Sequence, residues 1–432
     1  MPIPFLVGPI NGESVSQQWQ PFCDRGQCIP FGHSGDADLP LQASPVGDWK
    51  GFAAQLPADF QPEVLLLFLP YQVIPSWIWQ APIPIVGLAA DWNWQWHSYR
   101  MILPDCDLVL TDSSGASVLR DQGISQVLEA NLFGLEADYL QSPEEELKRD
   151  IDVLFVGSAH PAFQKERLPW LGRLARLSSR WNVLLTGGVF GEDYRNLLRR
   201  AKIVFNTSAR GEANRRMLEA TSCGAVLFQE ESNQEIALWL KPGSEHVLYN
   251  EQNLESLIED LLQDPSRLQA IAQAGQNRAR ACTFESITSR YLDQIENRLE
   301  ELSDRARERS QRARGEVASF RARTWQVLGA ASGSDPTLLH DLAQIQELDA
   351  ELLFLQGVAQ GGLPRRQTTG KEARQAAPFF HQCLAEDSRH LPASLSLTES
   401  LLLVGEDQLA AGGALRALEV LEQTGLNPSH LD

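Results

Sequence analysis

The chain has 432 residues, 43% of them hydrophobic. That is enough to bury more than one core, and a usual domain size of about 100 to 200 residues points to three units. The net charge of −19 is uneven: residues 1–150 hold 6 Lys and Arg against 19 Asp and Glu, which leaves that segment at −13. So acidic a surface repels phosphate backbones, which argues against nucleic acid and anionic membrane as partners. The six cysteines are scattered without the paired spacing of a metal site and read as free thiols of a reducing compartment. Met1 to Ile10 lacks the basic stretch of a signal peptide, and the longest apolar run, Val64 to Leu69, is far short of a bilayer span. The expectation is a soluble, cytoplasmic protein with no membrane span.

Short apolar runs recur at Pro4–Val7, Val64–Leu69, Ile83–Leu88 and Leu108–Leu110, the pattern of buried strands in a parallel sheet. From Asp112 to Gln122 the spacing turns helical and closes at Gly123. An acidic loop, Ser142–Asp150, separates this series from a second one. Asp152–Val156, Val183–Leu185, Ile203–Phe205 and Val226–Phe228 read as strands; Gln164–Ser179, Glu192–Arg200 and Asn214–Ser222 read as helices. The fold class is therefore α/β with two Rossmann-like domains, over residues 1–145 and 146–300, followed by an all-α region over 301–432. In that last region Ala373–Leu384, Ala393–Val404 and Ala410–Gln423 are helical candidates with a spacing like a degenerate tetratricopeptide-type repeat. The run Arg305–Arg323 reads mainly as a solvated basic face.

Strand Asp152–Val156 runs directly into Gly157 and Ser158. Glycine there lets a phosphate approach backbone N–H groups, although tight strand-to-helix turns use glycine for geometry alone. Asn206-Thr207-Ser208 ends a strand where open α/β sheets bind ligands, and Asn214-Arg215-Arg216 opens the next helix. Two guanidiniums at a helix start suit a diphosphate, and Glu219, one turn on, suits the two hydroxyls of a ribose. An ordinary surface Arg–Glu pair fits the same local pattern. In the first domain Asp91-Trp92-Asn93-Trp94-Gln95-Trp96-His97 follows a buried strand. Its alternating tryptophans suit sugar stacking or an aromatic plug between domains, and Asp91 or His97 suits proton transfer. His33, in Phe31-Gly32-His33-Ser34-Gly35, is a further catalytic candidate.

From Ile151 to Ile295 the chain resembles the C-terminal domain of GT-B glycosyltransferases, in particular the spore-maturation-type (CgeB-like) branch near the glycosyltransferases group 1 family. The resemblance rests on Phe155-Val156-Gly157-Ser158, Arg216-Met217-Leu218-Glu219-Ala220-Thr221-Ser222-Cys223-Gly224-Ala225, Glu235, Pro242-Gly243, Asp264-Pro265, Gly275 and Thr283-Phe284. It implies two domains facing across a cleft, the second holding a UDP- or GDP-linked sugar donor and the first an acceptor. It also implies helices after Glu285 crossing back to brace the first domain, and transfer without a divalent metal and with retention of configuration. Glu219 then matches the ribose-binding glutamate, Arg216 the residue set before it, and Lys165 a donor-phosphate cation. Many relatives pair that glutamate with an earlier one, seven residues lying between the two; here Gly211 holds that place and Glu212 stands one position short, so Asn214 or Arg215 are substitutes for sugar contact. The acceptor is expected to be a protein or a glycan, with the C-terminal helices as a surface for a protein partner. The alternative is a catalytically inactive GT-B scaffold that binds nucleotide and partner proteins through its helical tail.

Overall fold

The computed structural model describes residues 3–10, 13–32, 39–40, 48–141, 148–159, 164–208, 211–311, 348–360 and 369–424. The first series builds a seven-stranded sheet from β1 (Phe5–Gly8), β2 (Cys28–Gly32), β3 (Leu39–Pro40), β4 (Val64–Phe68), β5 (Ile85–Leu88), β6 (Leu108–Thr111) and β7 (Val127–Glu129), in the order β3, β2, β1, β4, β5, β6, β7. Every pairing is parallel; Leu6 of β1, for instance, stands between Ile29 and Leu65. Strands covered on both faces need apolar residues at every position, which is why they appear as unbroken runs. Alternation then sorts them. Leu6, Leu65, Leu67, Ile85 and Val109 pack one face with Trp77, Tyr99 and Ile102. Phe5, Val7, Val64, Leu66, Val86 and Leu108 pack the other.

The first sheet's helices are α1 (Glu13–Cys23), α2 (Trp49–Ala53), α3 (Trp92–Ile102) and α4 (Ser113–Asp121). The second series forms a five-stranded parallel sheet of β8 (Ile151–Val156), β9 (Val183–Thr186), β10 (Ala201–Phe205), β11 (Val226–Glu230) and β12 (Val247–Tyr249), in the order β12, β11, β10, β8, β9. Around it lie α5 (Leu168–Arg176), α6 (Gly191–Arg200), α7 (Arg216–Ser222), α8 (Ile236–Trp239), α9 (Leu254–Gln263) and α10 (Pro265–Arg280). The strand order reverses between β8 and β10, and open α/β sheets bind ligands in the crevice at such a switch point, beyond the carboxyl ends of the strands. That places the functional search at Gly157 and Asn206.

The chain then returns. Helices α11 (Phe284–Glu296) and α12 (Leu299–Gln311) lay Phe284, Tyr291, Leu292, Ile295 and Leu302 on the second face of the first sheet. One exception to the solvated reading of the basic run is decisive: Arg309 on α12 is only 5% exposed. Its Nε donates to both oxygens of Asp107, and its Nη atoms donate to the carbonyls of Trp79, Ala81 and Ile83 at 2.5, 3.0 and 2.8 Å. The expectation for Arg305–Arg323 is corrected at that residue, because burying one satisfied guanidinium fastens a whole helix; residues 312–323 lie outside those described. Arg309→Met should destabilise the chain by about 3 kcal/mol in thermal unfolding, since it leaves the buried Asp107 carboxylate without its cation. Near the C-terminus, α13 (Ala350–Ala359), α14 (Gly370–Glu386), α15 (Leu391–Leu403) and α16 (Asp407–Thr424) each pack on the next around Phe354, Phe380, Cys383 and Leu397.

Candidate active site

Residue 157 lies where β8 ends. A Cβ there would stand 2.8 Å from Nη2 of Arg216 and 3.0 Å from the Phe155 ring, so glycine is what lets the guanidinium approach. Arg216 is the first residue of α7, and its Nη1 donates to Asn206 Oδ1 at 2.7 Å. Asn206 is 1% exposed and is itself held by Asn214 at 3.0 and 3.2 Å and by Gln229 at 2.7 Å. Asn206 and Asn214 thus serve to aim the arginine.

A second guanidinium converges on the same point. Arg167 stands at the N-cap of α5, is 8% exposed, and donates to the carbonyls of Ser158 at 2.8 Å and Thr207 at 3.3 Å. Both guanidinium carbons lie 5.3 Å from the centre of the Phe155 ring. Each side chain keeps a buried Nε–H without an acceptor among the described residues. Among the described residues neither joins an ion pair, and burial first, then the neighbouring Arg216, pushes Arg167 down to about 10. Two like charges in one buried crevice, with donors left over, are arranged for an anion that carries more than one negative charge. Arg167 is the residue that sequence reasoning missed in favour of Lys165, which is exposed on the preceding 3-10 turn. The signal was available: an arginine at a helix start opposes the helix dipole unless an anion joins it there.

The remaining candidates on this side are engaged differently. Arg215 is bound by the carboxylates of Glu136 and, at 3.4 Å, Glu219. Glu219 accepts from the Tyr194 hydroxyl at 2.9 Å, and burial holds its carboxyl above the ordinary range despite Arg215. Ser208 donates its backbone N–H at 2.9 Å, and its hydroxyl as well, to Glu230 at the end of β11.

Across from these groups stands the edge of the first sheet. Asp91 follows β5 and Tyr71 follows β4, and both adopt left-handed backbone angles, φ 50° and 58°, which are costly for side-chain-bearing residues. Burial raises the Asp91 carboxyl, while a hydrogen bond with Tyr71 opposes the rise. Trp92, Trp94 and Trp96 belong to a helix, so their alternate spacing does not line one face; Trp92 and Trp96, four apart, both pack against the first core. Trp92 Nε1 donates at 3.0 Å to Asp112, the carboxylate that caps α4 through Gly115 N–H at 2.6 Å. The side chain of His97 and all of His33 lie outside what is described.

Glu212 joins the two walls. It comes from the second domain, yet its carboxyl bonds Asn93 of α3, and burial, then the charges of Asp91 and Asp112, push it up to about 8. Asp112 is pushed up to about 6, by burial first and then by Glu235 and Asp91. Among the described residues no group of three or more His, Cys, Asp or Glu is disposed to hold a metal ion.

Residues 140–295 match the family described as Glycosyl transferase-like. This part of the chain is similar to that family. Among solved structures the chain is similar to Anabaena Alr3699/HepE in complex with UDP, at 14% identity over 69% of this chain and 100% of that one, with a TM-score of 0.46. It is similar too to the sucrose-phosphate synthase of Thermosynechococcus elongatus, at 15% identity over 69% and 99% with a TM-score of 0.45. A glycosyltransferase from Rickettsia africae ESF-5 aligns at 10% identity over 69% and 98%, with a TM-score of 0.45. No curated protein matches. The matched residues include Gly157, Arg167, Asn206, Glu212, Arg216 and Glu219, whereas Asp91 and Asp112 lie outside them. The candidate site therefore draws on both sheets: Arg167, Arg216, Glu212 and Glu219 come from the second, Asp91 and Asp112 from the first.

Proposed function

We propose that the protein transfers a sugar from a UDP- or GDP-linked donor to a protein or glycan acceptor, with retention of configuration. The observation that carries this reading is the pair of guanidiniums, Arg167 buried and Arg216 half-buried, sharing the Phe155 ring at the switch point of the second sheet. They take the donor diphosphate, with the Gly157–Ser158 backbone beside it. Glu219, oriented by Tyr194, takes the ribose hydroxyls. The two arginines supply the charge that a divalent metal supplies elsewhere, so binding and turnover proceed in EDTA. Glu212 and Asp91 face the space beyond the diphosphate, where the transferred sugar and the acceptor hydroxyl meet; a carboxyl held near neutrality in its titration is suited to move the acceptor's proton.

The helices α13 to α16 favour a macromolecular acceptor or partner, since Leu402, Leu409, Leu415 and Leu418 stand 55%, 59%, 62% and 52% exposed there. All six cysteines are free and five are buried, which suits the cytoplasm, and among the described residues no helix is long and apolar enough to cross a membrane.

Thermal unfolding of the full chain against a panel of nucleoside diphosphates and nucleotide sugars in EDTA tests the donor site. A ligand at about a hundred times its dissociation constant adds about 2.7 kcal/mol of stability. One nucleotide should stabilise the wild type and fail to stabilise Glu219→Ala; no response to any nucleotide would remove the reading.

A further inference from the structure

Glu235 lies in the second domain, after β11, and is 2% exposed. Its carboxylate does not stay in that domain. Oε1 accepts from the Ser113 hydroxyl at 2.5 Å, the Ser114 backbone N–H at 2.7 Å and the Ser114 hydroxyl at 3.0 Å, all at the first turn of α4 in the first domain. A carboxylate at a helix N-terminus gains from the exposed N–H groups and the dipole, and this one is shielded from water, which strengthens the contact.

From Glu235 the bonded neighbours lead in both directions to the reacting groups. On its own side Asn233, 4% exposed, accepts from the Ile236 N–H at 3.0 Å and donates at 3.0 Å to the carbonyl of Glu212. On the far side Ser113 directly follows Asp112, whose carboxylate receives the Trp92 indole N–H, and Trp92 directly follows Asp91. The ring closes where the Glu212 carboxyl bonds Asn93. The cleft is thus crossed by Glu235 to Ser113 and Ser114 and by Glu212 to Asn93, and one continuous set of bonded neighbours joins these two crossings.

We propose that Glu235 is a positioning residue: by holding α4 against the second domain it fixes the separation between the carboxyls of Asp91 and Asp112 and that of Glu212 in the closed enzyme. It touches neither donor nor acceptor. Arg167, Arg216 and Glu219 are fixed by contacts within the second domain, so the donor site stands without this latch while the alignment of the two walls does not.

The inference rests on the donor reading for its kinetic arm only. Glu235→Ala in the full chain should bind the stabilising nucleotide within about two-fold of wild type, yet release nucleoside diphosphate from its sugar at least ten-fold more slowly. Small-angle scattering of the same variant should show a larger radius of gyration than the wild type in the presence of nucleotide. Glu235→Gln, whose amide oxygen still accepts from Ser114, should recover part of both losses. Nucleotide affinity falling in step with turnover would place Glu235 in the donor site instead, and unchanged turnover and scattering would overturn the latch. Absence of any nucleotide binding in the wild type would sink the donor reading, while the scattering comparison would still decide the latch.

Discussion

Arg167→Met should weaken binding of the donor nucleotide roughly 100-fold in titration calorimetry while leaving the unliganded protein as stable as the wild type or more so. The thioether side chain keeps the packing over Phe155 but removes the charge. Hydrogen bonds to an ionised partner contribute about 1.5 to 3 kcal/mol each, which sets the loss of affinity. In the unliganded chain the balance runs the other way, because the guanidinium is buried beside Arg216, and burial and that like charge outweigh the more distant carboxylates of Glu230 and Glu212. The carbonyls of Ser158 and Thr207 lose their donor, which limits the gain. A residue kept for structure would behave oppositely: a melting temperature lower by several degrees, with nucleotide affinity retained, would return Arg167 to the core and leave the crevice without its function.

Glu212→Gln should separate activity from stability in a similar way, and with a pH signature. The folded protein raises this carboxyl to about 8, through burial first and then the charges of Asp91 and Asp112. The proton is therefore held more tightly in the folded than in the unfolded chain. The stability this confers is present in full below the unfolded value, near 4.5, and is lost as pH rises through 8. Glutamine keeps the bond to Asn93 and cannot ionise, so the variant should match the wild type at pH 4 and exceed it by on the order of 4 kcal/mol at pH 8. Turnover should fall about 1,000-fold if the group moves the acceptor proton. Equal stability at both pH values would show that the carboxyl is not held as described.

Much of the architecture was legible because parallel strands buried on both faces betray themselves as apolar runs; β1, β4, β5, β6, β8 and β10 all lie within or next to such runs. Those that escaped notice had reasons. Pro30 interrupts β2, and β7 and β12, at Val127–Glu129 and Val247–Tyr249, are three-residue edge strands too short for a pattern. At the site, Gly157, Arg216 and Glu219 were marked by their place after a strand or at a helix start. The tryptophans of α3 misled because alternation is a strand's period, and on a helix it scatters side chains around the axis. Arg215 has the sequence position of a phosphate ligand but is bound by Glu136, 79 residues away, a partner that local pattern does not reveal. Glu212 was read as displaced from the family's spacing, yet the turn at Gly211, with φ 87°, leads its carboxyl to the cleft. The Glu235 crossing, to residues 121 and 122 positions away, has no local signal at all.

In the proposed function the crevice between β8 and β10 holds a sugar donor that the opposing carboxyls help to break down. That is tested most directly by incubating the wild-type chain in EDTA with whichever nucleotide sugar stabilises it and separating the products. Nucleoside diphosphate should be released, slowly to water and faster with acceptor, and none should be released by Arg167→Met. A donor that binds and stays intact under all acceptors offered would make the protein a nucleotide-binding scaffold, and a new nucleotide sugar in its place would make it an epimerase; either result would contradict the account.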